Sequence, residues 1–120
     1  PWTDLTFSGA SYKTNAKKDP SLSEAALRSH AKAFADGQQA NPLVSPAFGD
    51  YRGFPPSLIL AGGNELLLSD AEMLAARLVQ GGCRCELHVE EGLWHVYVLF
   101  GIAEARLALE RIADFLELWA

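Results

Sequence analysis

Apolar and polar positions along the chain follow two periods. Leu27, Ala31, Phe34 and Ala35 recur at helical spacing behind Ser21-Leu-Ser-Glu24, and Gly37 follows them. A serine with a glutamate three residues on satisfies free backbone N–H groups reciprocally at a helix start, and a glycine supplies a left-handed stop, so a first helix is expected here. Ser57-Leu-Ile-Leu-Ala61 is a short apolar run between Pro55-Pro56 and Gly62-Gly63, the signature of a strand buried on both faces. Ser69-Asp70-Ala71-Glu72 repeats the cap pattern ahead of Ala71, Leu74, Ala75 and Leu78 on one stripe, with Gly81-Gly82 as terminator. Arg84 to Val89 reads as a second strand, Glu90 to His95 as a loop through Gly92, and Ile102 to about Leu118 as a final helix. In that helix Ala105, Leu109, Ile112, Ala113 and Leu116 face one way.

Two stretches carry no period. Residues 1–20 hold Pro1, Ser8, Gly9, Ser11, Asn15 and Pro20 among scattered aromatics, which predicts an ordered but irregular segment. Between Gln38 and Pro56, four prolines and two glycines prevent any long element, and loops of this length tend to be functional or to wrap a neighbour. From Ser57 onward the order is strand, helix, strand, helix. Strands joined through a helix run parallel and belong to α/β architectures. Two strands do not make a covered parallel sheet. Either the irregular N-terminal segment adds a strand, or the missing strands belong to another polypeptide.

Composition narrows the classes. The 120 residues suit one small domain, and 49% apolar with 21% charged residues suits a packed core rather than a disordered tail. Ten basic against fifteen acidic residues give a net charge of −5, with no basic cluster beyond Lys17-Lys18, which disfavours nucleic acid and anionic membrane surfaces as partners. The longest near-apolar stretch, Val96 to Ala103, is far shorter than the roughly 20 residues of a membrane-spanning helix. Cys83 and Cys85 are too few and too close for a disulfide framework, which fits a reducing compartment and makes the cytoplasm the expected location.

In open α/β sheets, ligands gather beyond the carboxyl ends of the strands. The first strand ends at Gly62-Gly63 and is followed by Asn64-Glu65; the second is followed by a loop reaching His95. A carboxylate and an imidazole thus leave the same edge of neighbouring strands, and such a pair can orient a general base: the carboxylate accepts the Nδ1 proton while Nε2 faces a nucleophile. Read from spacing alone, the same positions also suit a solvated loop carboxylate and an imidazole packed beside Trp94 and Tyr97. Asp70 is a rival acid, although its place at a helix start gives it a capping or dipole-compensating task. In a strand, Cys83 and Cys85 point to one face and His88 to the other, so the three do not easily meet on one metal ion. His30 has no partner motif, and Gly62-Gly63 lacks the third glycine of a dinucleotide loop.

Four segments together carry a family resemblance: the opening Pro-Trp-Thr-Asp-Leu-Thr, Asn41-Pro-Leu-Val-Ser-Pro46, Pro55 to Asp70, and Gly92-Leu-Trp-His-Val-Tyr-Val-Leu-Phe100. They resemble, in order and over nearly the whole chain, the C-terminal part of α/β-hydrolases of the hormone-sensitive-lipase-like, bacterial family IV esterase group. The resemblance implies an α/β-hydrolase fold with an incomplete sheet, in which residues 1–56 form a cap- and pocket-side segment and residues 57–120 the strand-helix-strand-helix part. It implies a short-chain carboxylic ester hydrolase using a Ser–acid–His triad, without metal or organic cofactor. It also implies that Glu65, in a Glu-x-Leu-Leu context thirty residues before His95, is the acid, with Asp70 as fallback. The commoner family form has Asp at that position, and Tyr97 stands where many relatives have Phe. The nucleophile elbow G-x-S-x-G and the HGGG-type oxyanion loop do not occur in these 120 residues. The expected partners are therefore a small ester together with a complementing N-terminal segment, or a second copy meeting residues 84–89 and 102–118. A catalytically inactive fragment that assembles through an exposed sheet edge is the alternative.

Overall fold

The computed structural model describes residues 1–119. Its elements run α1 (Ser11–Thr14), α2 (Glu24–Ala35), β1 (Ser57–Gly62), α3 (Leu68–Gln80), β2 (Cys85–Glu90) and α4 (Ala103–Trp119), with short 3-10 turns at Pro46–Phe48 and Tyr97–Leu99. β1 and β2 pair in parallel as a two-stranded sheet. α3 crosses between them and packs Ala71 and Leu78 on Ile59, Ala61 and Cys83, with Leu74 and Leu87 at the margin. Leu58 and Leu60, on the opposite face of β1, are only half-buried. The unbroken apolar run therefore does not mean cover on both faces in this chain.

Local signals place the helices to within a few residues, and the differences have causes. α2 is capped by Ser23, whose hydroxyl accepts from Ala26 N at 3.3 Å, rather than by Ser21. Ser21 is claimed by Asp19, whose Oδ1 accepts from Ser21 N (2.8 Å), Ser21 Oγ (2.8 Å) and Leu22 N (2.9 Å) in a turn that closes just ahead of the helix. At the other end Asp36, at φ 43°, turns left-handed one residue before Gly37. α3 begins at Leu68 with no side-chain cap, so Ser69 and Asp70 lie inside its first turn instead of ahead of it.

Those two side chains are free to hold the N-terminal segment. Asp70 Oδ2 accepts from Thr3 N (2.8 Å) and Asp4 N (2.7 Å), and Asp70 Oδ1 accepts from the Tyr12 hydroxyl (2.8 Å). Ser69 N and Oγ exchange hydrogen bonds with Ser11 Oγ (3.0 Å) and Ser11 N (2.9 Å). Asp70 is wholly buried, and burial pushes its carboxyl above the ordinary carboxylate value, against the pull of the Tyr12, Asp4 and Thr3 donors. Burial first and the Asp70 charge second push the Tyr12 phenol far up, so it stays protonated and donates. Asp4 in turn closes its own loop by accepting from Thr6 N (2.8 Å) and Ser8 N (3.0 Å). Residues 1–20 are thus ordered and irregular, and among the described residues they add a single helical turn and no strand.

α4 departs furthest from its pattern. Ala105 and Ala108 are its only buried residues among those described, while Leu107, Leu109, Leu116 and Leu118 are 53–64% exposed. A helix facing a two-stranded sheet has too little sheet to lie on. The solvent-accessible surface is 7214 Å², against about 6,300 Å² for a compact monomer of this mass.

Removing the Asp70 carboxylate orphans three buried donors at once, and each costs on the order of 1–3 kcal/mol. Asp70→Ala is therefore expected to destabilise the chain by about 3 kcal/mol or more, read as a drop in the urea midpoint. A midpoint within experimental scatter of the wild type would refute the anchor.

Candidate active site

The sheet register sets the geometry. Ser57 pairs with Cys85 and each following residue with its counterpart, until Gly62 lies opposite Glu90. Both strands end at one level, and the chains that leave them are stitched together. Gly63 N donates to Glu90 O (2.8 Å), Asn64 N to Leu93 O (2.9 Å) and Asn64 Nδ2 to Gly92 O (3.1 Å). Gly62 allows this approach, because a Cβ at that position would stand 2.5 Å from Leu93 O and 2.6 Å from Trp94 O.

Glu65 follows within a turn, and its side chain points back under the strand end. It is 2% exposed, and its Oε2 accepts from Gly62 N at 2.9 Å. Its Oε1 faces His95 Nδ1 at 3.5 Å, with the imidazole 27% exposed. Of the two sequence-level readings of Glu65, the solvated carboxylate is thereby corrected: the group is enclosed and aimed at the histidine. Directly after His95 the backbone turns left-handed at Val96, φ 51° and ψ 33°, a conformation that costs a β-branched residue on the order of 1–3 kcal/mol. Backbone strain of this kind gathers at functional sites and here swings the chain into the Tyr97–Leu99 turn immediately beyond the imidazole.

An ionised carboxylate on Nδ1 fixes the neutral imidazole as the Nδ1–H tautomer and leaves Nε2 free to take a proton. Nε2 of His95 makes no hydrogen bond among the described residues. What the pair can do chemically is act as an oriented general base; these two side chains include no nucleophile. Asp70 stands elsewhere, with both oxygens occupied by Thr3, Asp4 and Tyr12. Of its expected capping or dipole-compensating task the capping half is corrected, since its partners lie 58 to 67 residues away, while its place in the first turn of α3 agrees with the other half.

Cys83, Cys85 and His88 do not converge. Cys83 Sγ donates to Tyr51 O at 2.7 Å, Cys85 packs at the margin of the sheet core, and His88 Nε2 lies 3.2 Å from Arg111. Among the described residues no group of three His, Cys, Asp or Glu side chains could hold a metal ion, and no helix is long and apolar enough to cross a membrane. Reading the sequence missed Gly62 as the residue that admits the histidine loop. Its one local signal is a glycine at a strand end followed by a second glycine that alone would have served the turn.

Comparison with known proteins gives a consistent picture. The profile of the alpha/beta hydrolase fold family matches residues 1–99. An esterase of Acinetobacter venetianus is 34% identical over 119 residues, covering 96% of this chain and 39% of the esterase. An acetyl-hydrolase of Streptomyces hygroscopicus is 34% identical over 97% of this chain and 40% of its own length. A solved esterase from the bacterial hormone-sensitive lipase family superposes with a TM-score of 0.95 at 36% identity, over 99% of this chain and 41% of that one. The chain thus spans about two-fifths of the length of these three relatives.

A methyl group at Gly62 meets backbone rather than a side chain that can swing aside. Gly62→Ala is expected to cost about 2 kcal/mol and to displace the His95 loop, whereas Gly101→Ala, with open space around it, should stay within about 0.5 kcal/mol of wild type. Thermal melts of the two variants side by side check this; equal melting temperatures would contradict the close approach.

Proposed function

Given that this chain belongs to the alpha/beta hydrolase fold family, we propose that it carries the acid and the general base of a Ser–acid–His carboxylic ester hydrolase. His95 takes the proton from the serine hydroxyl at Nε2 as the serine oxygen attacks the ester carbonyl, and later returns it to the departing alcohol. Glu65 holds the Nδ1–H tautomer and stabilises the imidazolium formed in between. The serine and the oxyanion donors come from outside these 120 residues, in which neither the G-x-S-x-G elbow nor the HGGG-type loop occurs. The observation that carries this reading is the enclosed Glu65 carboxylate 3.5 Å from His95 Nδ1 at the carboxyl ends of two adjacent parallel strands. Esterases and an acetyl-hydrolase among the relatives support short-chain esters as the substrate class.

The same reading accounts for surface that this chain leaves uncovered. Among the described residues β1 has a neighbour on one edge only, and the hollow beside it is lined by Tyr51, Phe54, Leu58, Leu60 and Leu74. We assign that edge, with the exposed leucines of α4, to the complementing N-terminal sequence that also brings the serine. A second copy meeting β2 and α4 is the competing occupant, and light scattering of the chain alone separates a discrete oligomer from a monomer.

In the full-length gene product, assayed on a chromogenic short-chain ester, His95→Ala is expected to lower kcat/KM by at least about 10³-fold, with Glu65→Gln following it. Retained turnover in Glu65→Gln beside loss in a folded Asp70→Asn would transfer the acid to Asp70. The 120-residue chain alone should show no burst of released chromophore; a burst would mean that a nucleophile lies within it.

A further inference from the structure

We propose that Asn15 is a positioning residue for the Glu65–His95 pair, acting through the backbone of the turn that carries the carboxylate; the inference rests on the reading of that pair given above. Glu65 belongs to no helix or strand. The backbone–backbone bonds its turn makes with itself are long, Glu65 N to Gly62 O at 3.2 Å and Leu68 N to Glu65 O at 3.3 Å, although the Glu65 carboxylate adds a bond from Gly62 N at 2.9 Å. Asn15 supplies what the turn lacks. Its side-chain amide nitrogen donates to Gly63 O and to Glu65 O, each at 3.0 Å, so both of its N–H groups are committed to carbonyls on either side of Asn64. The two carbonyls also fix the orientation of the amide, because the reverse one would set Oδ1 against two oxygens.

Asn15 is itself held. It is 3% exposed at the end of α1, and its N–H donates to Ser11 O at 2.9 Å. The neighbouring bonds from Ser11 Oγ to Leu66 O and from Leu66 N to Asp19 Oδ2 (2.8 Å) secure the residue after the acid, which leaves Asn15 to secure the acid. Leverage comes from distance. At 3.5 Å the contact between Glu65 Oε1 and His95 Nδ1 is at the outer limit of a hydrogen bond, so a shift of a few tenths of an ångström in the turn removes it. A residue that makes no hydrogen bond to His95 among the described residues thereby decides which imidazole nitrogen carries the proton.

The test reads the tautomer of His95 in the 120-residue chain from its imidazole ¹⁵N shifts, with the three histidines assigned by substitution. In the wild type, Nδ1–H is expected to be the major neutral tautomer. Glu65→Ala should invert it to Nε2–H, the form that a neutral histidine side chain free in water prefers. Asn15→Leu, close in shape and without donors, should invert it as well, and combining it with Glu65→Ala should add nothing. Asn15→Ser, which keeps a polar group but loses the reach, is read in the same way and decides the matter if the leucine variant does not fold. Ser69→Ala, which removes one bond to the same N-terminal segment and keeps those of Ser11 Oγ to Leu66 O and of Asn15 to the turn, should lower the melting temperature and leave the tautomer alone. No inversion in Glu65→Ala overturns the Glu65–His95 pair itself. Inversion there, with an unchanged tautomer in the folded Asn15 variant, overturns the role of Asn15 and leaves the pair standing. Inversion in Ser69→Ala would make Asn15 one stability contact among several, which also overturns the proposal.

Discussion

Everything at the site depends on the register between two strands. Gly62 lies opposite Glu90, so β1 and β2 release their chains at one height, and the acid turn and the histidine loop begin side by side. A slip of one residue would offset the two by about 3.3 Å and turn every strand side chain to the other face. The carboxylate-to-imidazole contact, already 3.5 Å long, has no slack to absorb that. Register is fixed from the core side by Ile59 and Ala61 under α3, and from the loop side by Gly62, whose bare Cα lets the Leu93 and Trp94 carbonyls close in.

A sheet this small does not hold its loops unaided, and the N-terminal segment makes up the difference with polar contacts instead of strand pairing. Asp70 gathers Thr3, Asp4 and Tyr12; Ser69 and Ser11 bond reciprocally; Asn15 and Asp19 grip the turn around Glu65. Such buried polar contacts contribute modestly when complete and cost heavily when one partner is lost, so they specify one arrangement more than they add stability. Glu65 sits in an irregular turn, yet the backbone of that turn is tied to residues 11–19 on one side and to the histidine loop on the other.

Other surfaces lack comparable support. α4 presents Leu107, Leu109, Leu116 and Leu118 to solvent, and among the described residues β1 keeps one edge unpaired. A chain that spans about two-fifths of the length of these relatives has a well-tied Glu65–His95 corner beside bare apolar surface. The burial is uneven: Glu65 is 2% exposed, whereas these leucines of α4 are 53–64% exposed.

The sequence by itself determined the elements and the rim. Helical spacing in residues 27–35 and 71–78, apolar runs between prolines and glycines, and the strand-helix-strand order are local patterns, and local patterns survive without knowledge of neighbours. They brought Glu65 and His95 to adjacent strand ends, and the family-like motifs pointed to the same two residues. Which serine caps α2 was settled locally too, since Asp19, two residues before Ser21, takes that serine and leaves Ser23 to cap. Tertiary structure alone decided that the Asp70 carboxylate is taken by a segment 66 residues away, that Asn15 reaches the turn around Glu65, and that the stripe on α4 stays largely bare. Each of these is a competition for a partner distant in the chain. Periodicity carries no record of distant partners, since a hydrogen bond depends on where two groups arrive and not on how far apart they were written.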